Sequence, residues 1–356
     1  MTIELSHELD RHFRLLGVQA IAHDAGVILR RGTTRTYLAG DGVMGLLARI
    51  VDASRAGGVS ETQLKKSLPR EDWALLDGVM EALTSRRFLV PLDPERADTD
   101  PQAVEDPDEV YYWEFGSSRA EAWARLADRQ VPVIGDNGIS RHLLAMLHRC
   151  GMTGAYLVDH PQFKALGPRP DDLEPGLAHD DWAASSAPDR ADVFVVCSDF
   201  GGLSLMREWN EYCHGVGTPF MPVVLQDHTA YVGPLVIPGS SPCFECLWLR
   251  QNSNLDDPLV KRASEHLAYY GQHANGYLPP MASAAADFAA MELVKHFTQL
   301  LPGGSVGTLL EIDLAGPALT PRKLLKVPYC PVCSATSGHP VPAVDRVVFM
   351  PGNDPE

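Results

Sequence analysis

The chain has 356 residues, enough for two or three domains of ordinary size, each with a sizeable core. Apolar residues make up 45% and charged residues 21%, the balance of a soluble globular protein. A formal net charge of -16 repels nucleic-acid phosphates and anionic lipid, which argues against general nucleic-acid or membrane-surface binding and only weakly favours a cationic peptide.

The opening run Met1-Thr2-Ile3-Glu4-Leu5 lacks the basic-then-apolar order of a secretory signal. No stretch reaches the ~18 uninterrupted apolar residues of a membrane span, so a cytoplasmic protein is expected. Short strands are expected at 18–22 and 26–30 around a His23-Asp24-Ala25 turn, and a third from Thr33 to Leu38. Val43, Leu46, Leu47 and Ile50 recur at helical spacing across Asp41 to Ala53. Ser60 with Gln63 three residues on is a capping-box pattern for a second helix. Asp72 is placed to cap a third, whose apolar face is Leu75, Leu76, Val79, Met80 and Leu83, and Phe88-Leu89-Val90 closes the set as a strand. Three strands, three helices and a strand describe a small winged-helix-like α+β module spanning 1–93. A helix that reads DNA should be basic, but this third helix region carries Glu71, Asp72, Asp77 and Glu81, with Arg86 and Arg87 only at its end. Peptide or partner binding therefore outweighs DNA binding, the plainer reading being a module that only folds.

Residues 94–110 are acidic and proline-bearing, which predicts a linker or an extended surface loop. The remainder, 111–356, alternates helices and strands. A helix is expected from Ser117 to Asp128, then a strand at 131–134, a glycine turn, a helix, and the strand Ala155 to Asp159. That is the outline of a mononucleotide-binding βαβ unit, and further strands at 193–197 and 222–225 around a helix at 203–214 extend it into a mostly parallel sheet.

The turn itself is a poor phosphate cradle. It reads Gly135-Asp136-Asn137-Gly138, with Asn137 where a dinucleotide loop has its second glycine and a carboxylate at Asp136. A turn kept for the fold, with no nucleotide, is the better reading of Gly135 and Gly138. Asp159 could meet a ribose hydroxyl or cap the next turn, and Asp199 could hold magnesium or cap the helix near Leu203.

Cys243-Phe244-Glu245-Cys246 and Cys330-Pro331-Val332-Cys333 carry the strongest chemical signal. Two knuckles of paired thiolates complete a closed tetrahedral shell, which makes the metal a structural zinc pinning the C-terminal segment to the domain body. A thioredoxin-like reading would usually need one pair opening a helix rather than two complete pairs. Cys150, Cys197 and Cys213 sit in apolar or helical settings and are expected to be buried, unreactive thiols.

On the glycine turn at Gly135, the acid Asp159, the VVCSDF run with Asp199 and the paired cysteines, the third region resembles ThiF/MoeB-type domains, the Rossmann-type α/β fold of ubiquitin-activating enzymes. The run Tyr231 to Arg250 together with Tyr329 to Cys333 is similar to ThiF-like members of ribosomal-peptide natural-product clusters, which join an N-terminal peptide-recognition module to such a domain and often work with a YcaO cyclodehydratase that makes azolines. Adenylating relatives follow the strand-end acid with an Asn-x-x-Arg-Gln segment. This chain instead reads HPQFKALGPRPDD after Asp159, and neither Arg141 nor Lys164 replaces the missing arginine. The resemblance thus implies a non-adenylating scaffold without catalytic residues that binds a precursor's leader peptide and presents it to a partner enzyme. ATP and magnesium are not expected as its cofactors, and a homodimer is implied. In such modules the leader adds as a strand against the third strand, beside the third helix. By position those residues are Arg35, Thr36, Tyr37 and Leu38, with Trp73, Leu76, Met80 and Leu83 on the helix. Leu76 and Leu83 read better as core, and Trp73 is the better contact. The alternative implied by the same resemblance is an ATP-dependent enzyme that adenylates a peptide carboxylate, using Asp159 and Asp199.

Overall fold

The computed structural model describes residues 12–15, 17–55, 58–92, 107–164, 176–253, 257, 259–261, 263–264, 276–300, 304, 306–316 and 318–334. The chain divides into two compact units, Met1–Ala122 and Trp123–Glu356.

The first unit contains β1 (His12–Leu15), β2 (Gln19–His23), β3 (Gly26–Arg31), β4 (Thr34–Ala39), α1 (Val43–Arg55), β5 (Val59–Ser60), α2 (Glu61–Lys66), α3 (Trp73–Ser85), β6 (Leu89–Leu92) and α4 (Pro107–Glu114). The antiparallel meander β2-β3-β4 forms one sheet and β5-β1-β6 a second. Val27, Leu29 and Leu38 alternate inward from the meander, as strand geometry requires, and pack with Leu46, Leu47 and Ile50 of α1 and Leu76, Val79, Met80 and Leu83 of α3. The strands and helices expected here all form near their expected positions, and β1 and β5 are additions too short to show a period. Ser60 does cap α2, accepting from the Gln63 amide. Asp72 makes no side-chain cap on α3, because the single 3₁₀ turn Arg70–Asp72 leads straight into the helix. Of the linker expected at 94–110, residues 94–106 lie outside the described residues, while 107–110 are the first turn of α4. Asp108 and Glu109 favour that helix N-terminus through its dipole, and Tyr112 and Trp113 are buried.

In the second unit α5 (Arg119–Leu126), which begins before the boundary, is followed by β7 (Val131–Ile134), α6 (Gly138–Arg149), β8 (Ala155–Asp159), β9 (Leu177–Ala178), α7 (His179–Ala183), β10 (Phe194–Ser198), α8 (Leu203–Val216), β11 (Phe220–Gln226), β12 (Thr229–Val232), α9 (Phe244–Asn252), α10 (Pro279–Thr298), β13 (Thr308–Asp313) and β14 (Ala318–Lys323). They build an eight-stranded sheet in the order β14-β13-β12-β11-β10-β7-β8-β9. The strands from β11 to β9 are parallel, and β12 to β14 extend the sheet antiparallel. Each face carries its own core. Along β10, Val195 and Cys197 go to the layer under α6 and α10, while Phe194 and Val196 go to an aromatic layer with Trp182, Trp209 and Phe220. A stripe of alanines, including Ala282, Ala285, Ala286 and Ala289, forms the buried face of α10. Its small side chains let Ala282 approach the start of α6, where a Cβ on Gly138 would lie 3.4 Å from that of Ala282.

The order of the strands positions the site. The chain leaves β7 for β8 and β9 on one side, then returns past β7 to β10 and β11 on the other. The carboxyl ends of β7 and β10 therefore flank a topological switch point, where open α/β sheets form their ligand crevice.

Candidate functional site

At the end of β7 the backbone turns at Gly135 with φ of +108°, and a Cβ there would lie 2.7 Å from the Cys197 carbonyl oxygen and 2.9 Å from Cβ of Phe163. Protein packing alone thus demands this glycine. Asn137, fully buried, is the N-cap of α6. Its Oδ1 accepts from the amides of Ile139 and Ser140 (3.1 Å each), and its Nδ2 donates to the carbonyls of Cys197 (2.8 Å) and Phe163 (3.2 Å). The Ser140 hydroxyl accepts from the Asn137 amide at 2.9 Å, completing a capping box. In a phosphate-binding turn the first amides of the helix face the ligand. Here the protein's own side chains satisfy them.

The charges of the turn are also met internally. Asp136 is buried and accepts from Nε of Arg141 at 2.5 Å, and its amide donates to the Phe163 carbonyl at 3.0 Å. Asp159, at the end of β8, lies 3.5 Å from Nζ of Lys164. Asp199, fully buried at the end of β10, accepts a hydrogen bond from the Tyr277 hydroxyl, and burial followed by that bond pushes the tyrosine well above its ordinary pKa. Asp199 does not cap α8, whose N-cap is Gly202 in the left-handed conformation. Gly135, Gly138 and Asp199 do converge at the switch point. Tyr277 was not foreseen: it lies 78 residues from Asp199 in sequence, and nothing local to either residue signals the contact.

Just beyond Asp159, His160 is buried among Phe163, His179 and Trp209, with ring centroids 5.0, 4.4 and 6.0 Å away. Burial, and then the neighbouring His179, push its pKa down to about 4.

The two cysteine pairs meet in one cluster. Cys243 stands at the N-cap position of α9, Cys246 lies in its first turn, and Cys330 and Cys333 arrive from the segment after β14, with all four ligand atoms within 4.8 Å of one another. The sulfur separations are 3.8 Å for Cys243–Cys246, 3.6 Å for Cys243–Cys330 and 3.4 Å for Cys246–Cys333. Tetrahedral thiolates at ~2.3 Å from a metal lie ~3.8 Å apart, so the set is placed to ligate one ion. Cys246 also accepts from the Val327 amide at 3.3 Å, and the hydrogen bond from Cys243 holds it well below the ordinary thiol range. The knuckle is braced from behind. Glu245 takes both Nε and Nη2 of Arg207 (2.6 and 2.8 Å), and that guanidinium lies 3.8 Å from the ring centre of Trp248. Arg250 Nε donates to the Leu325 carbonyl at 3.1 Å, and Lys326 Nζ to the Gly239 carbonyl at 2.9 Å, tying down the segment that carries the second pair. Among the other cysteines, Cys197 and Cys213 are buried and their thiols pushed up by burial, whereas Cys150 is only half-buried, contrary to expectation.

In the first unit β4 is a terminal strand of its sheet, and no described strand pairs with its outer edge. Arg35 and Tyr37 are exposed, Thr36 is half-buried and Leu38 is buried. Met80, buried with Leu76 and Leu83, belongs to the core. Trp73 is half-buried, with its indole donating to the Lys65 carbonyl at 3.1 Å.

No family model matches the chain, and no curated protein matches it in sequence. Solved structures do match. The microcin C7 biosynthetic enzyme MccB in complex with N-formylated MccA aligns over 91% of this chain and 100% of its own, at 16% identity and a TM-score of 0.63. MccB from E. coli with ATP aligns over the same shares at 16% identity and a TM-score of 0.62. The heterocyclase TruD aligns over 91% of this chain but 43% of its own, at 19% identity and a TM-score of 0.59. The fold is similar to that of MccB.

Three outcomes follow from this geometry. Elemental analysis should find about one metal ion per chain, lost together with thermal stability in Cys246→Ser. Asn137→Ala, by removing the cap and the hydrogen bonds to the Cys197 and Phe163 carbonyls, should lower unfolding stability by about 1–3 kcal/mol in denaturant titration. The unfolded chain protonates histidine near pH ~6.5, whereas folded His160 does so only near its depressed value of about 4. The unfolded state therefore binds the extra proton first, and stability falls as pH drops through that window. His160→Phe should flatten the decline, as read by denaturation midpoints against pH.

Proposed function

We propose that this protein captures the leader of a ribosomally made precursor peptide and delivers it to a YcaO-type cyclodehydratase for azoline or thiazole formation, with no adenylation of its own. The observation that carries this reading is the closed turn at the switch point. Asn137 takes up the first amides of α6, the Asp136–Arg141 pair fills the turn, and Tyr277 engages Asp199. Each of these groups would have to be released before a nucleotide phosphate or its magnesium could be held there. Peptide capture on this architecture has a counterpart in MccB, solved with MccA, and association with ring formation in TruD, a heterocyclase of which 43% aligns with this chain. The remainder of such an activity would come from a separate partner.

Capture is assigned to the winged-helix-like first unit. The open edge of β4, Arg35 to Leu38, takes the leader as an added strand whose backbone hydrogen bonds supply affinity, with Trp73 at its flank. Met80 would act from the core behind this edge. The four cysteines hold zinc, a d¹⁰ ion suited to a closed tetrahedral thiolate shell and to no redox step. Its role is to fix the C-terminal segment, and the protein works in the cytoplasm as a homodimer.

A second reading has one observation in its favour: a buried acid, Asp199, stands at the switch point of a fold that in MccB has been solved with ATP. There the protein would adenylate a peptide carboxylate, with Asp199 on magnesium, Asp159 on the ribose, and Gly135 and Gly138 at the phosphates. Titration of the purified protein with the precursor peptide encoded beside its gene, full-length and leaderless, with and without magnesium-ATP, separates the two. Leader-dependent binding without pyrophosphate release is the expected result. Peptide-dependent pyrophosphate release would establish the adenylating reading instead.

A further inference from the structure

The outward face of the β2-β3-β4 sheet has an order that the core does not explain. Its register places Ile21 opposite Ile28 and Ile28 opposite Tyr37, so the three form one row across the sheet. Ile21 is 47% and Tyr37 48% exposed. The adjacent row is Gln19, Arg30 and Arg35, with the two arginines directly opposite one another. Like charges in that position destabilise a strand pair, and among the described residues no ion pair offsets them. Among the described residues, the ion pairs of this unit are His23 with Asp24, Arg31 with Glu114, and Lys65 with Glu61 and Asp77. Among the described residues none includes Arg30 or Arg35, and Arg30 Nε donates to the Gly32 carbonyl at 3.1 Å. A bare cationic pair beside a bare apolar row is unusual on a chain whose net charge is -16.

Arg35 and Tyr37 belong to β4, the terminal strand of the sheet. A strand added along that edge sets its own side chains on the same face beside them, and successive side chains on one face are two residues apart. We infer that this face reads the captured peptide through two outward side chains spaced two residues apart: a carboxylate beside Arg35 and an apolar group beside Tyr37. The inference rests on the strand-addition reading above and adds the class of sequence that the edge selects. Backbone pairing alone would accept almost any extended peptide. The Arg35–Arg30 pair and the Ile21–Ile28–Tyr37 row supply the discrimination, and the like-charge cost within the sheet is relieved when the acid arrives.

The test is a selection from a displayed library of random 12-residue peptides on the full-length protein, repeated on Arg35→Glu and Tyr37→Ala. Both side chains are exposed, and unfolding temperatures check that the variants fold; Arg35→Gln replaces the charge reversal if it does not. The wild type should enrich Asp or Glu two places from an aliphatic or aromatic residue. Arg35→Glu should exchange that acid for Lys or Arg, and Tyr37→Ala should lose the apolar preference. A synthetic peptide of the enriched sequence should bind Arg35→Glu about tenfold more weakly, with its acid-to-lysine counterpart recovering affinity. The same motif emerging from Arg35→Glu, no motif from the wild type, or complete displacement of the peptide by a mixed-sequence DNA duplex would overturn the inference. The natural precursor separates the two levels. Leader binding that is unchanged in Arg35→Glu removes this inference and leaves delivery standing, whereas a precursor that does not bind at all removes delivery.

Discussion

The second unit is organised around one buried amide. Asn137 has two acceptor and two donor positions, and all four are used: two on amides in the first turn of α6, one on the Cys197 carbonyl near the end of β10, and one on the Phe163 carbonyl after β8. Three chain segments distant in sequence are thereby held in one plane of hydrogen bonds at the point where the sheet reverses its winding. A glycine here would return the amides to solvent or ligand, but it would release Phe163 and Cys197 as well. The turn is therefore committed to internal cohesion, and the same four bonds that stabilise it compete with phosphate.

The cysteine cluster gathers a second set of distant segments, the start of α9 and the chain after β14. The strands β12 to β14 add antiparallel to β11, and β14 is exposed along its length, so packing secures it weakly. The segment after it is held instead by Arg250 and by Lys326, and it carries two of the four clustered cysteines. The bidentate Arg207–Glu245 pair sets the orientation of α9 from behind, so that both ligands of the first knuckle face the second. Supporting contacts of this kind commonly orient metal ligands. A filled sulfur shell has no open position for substrate, which separates this centre from the chemistry of any partner.

Features written in local spacing were legible in the sequence. The strand, glycine turn, helix and strand from 131 to 159, the helices α1 to α3 and the paired cysteines each follow from a period, a turn residue or a ligand interval. Features that depend on distant partners were not. The buried face of α10 is mostly alanine, which carries little hydrophobic contrast, and β14 has no inward face to alternate with. Asp72 has the residue type of a cap but not its geometry, because the chain enters α3 already turning. The pairing of Tyr277 with Asp199 is legible only in three dimensions. The composition of residues 94–110 suggested a linker or an extended surface loop throughout, yet Pro107, Asp108 and Glu109 are what a helix start prefers.

The acidity of the chain acquires a different meaning once its exceptions are located. A net charge of -16 spread over a surface keeps a protein soluble and repels anions generally. Two arginines left facing each other on an exposed sheet then form a local exception, and a local exception discriminates better than a uniformly basic surface would. On the proposed reading, an anionic peptide is repelled along most of the surface and accepted where a strand edge, an apolar row and a cationic pair coincide. Selectivity of that form needs no nucleotide and no catalytic group, only a rigid edge and a chemically distinct neighbour for each side chain. On that reading, a turn closed by its own side chains leaves the fold in use, because recognition is assigned to β4, a terminal strand with which no described strand pairs along its outer edge.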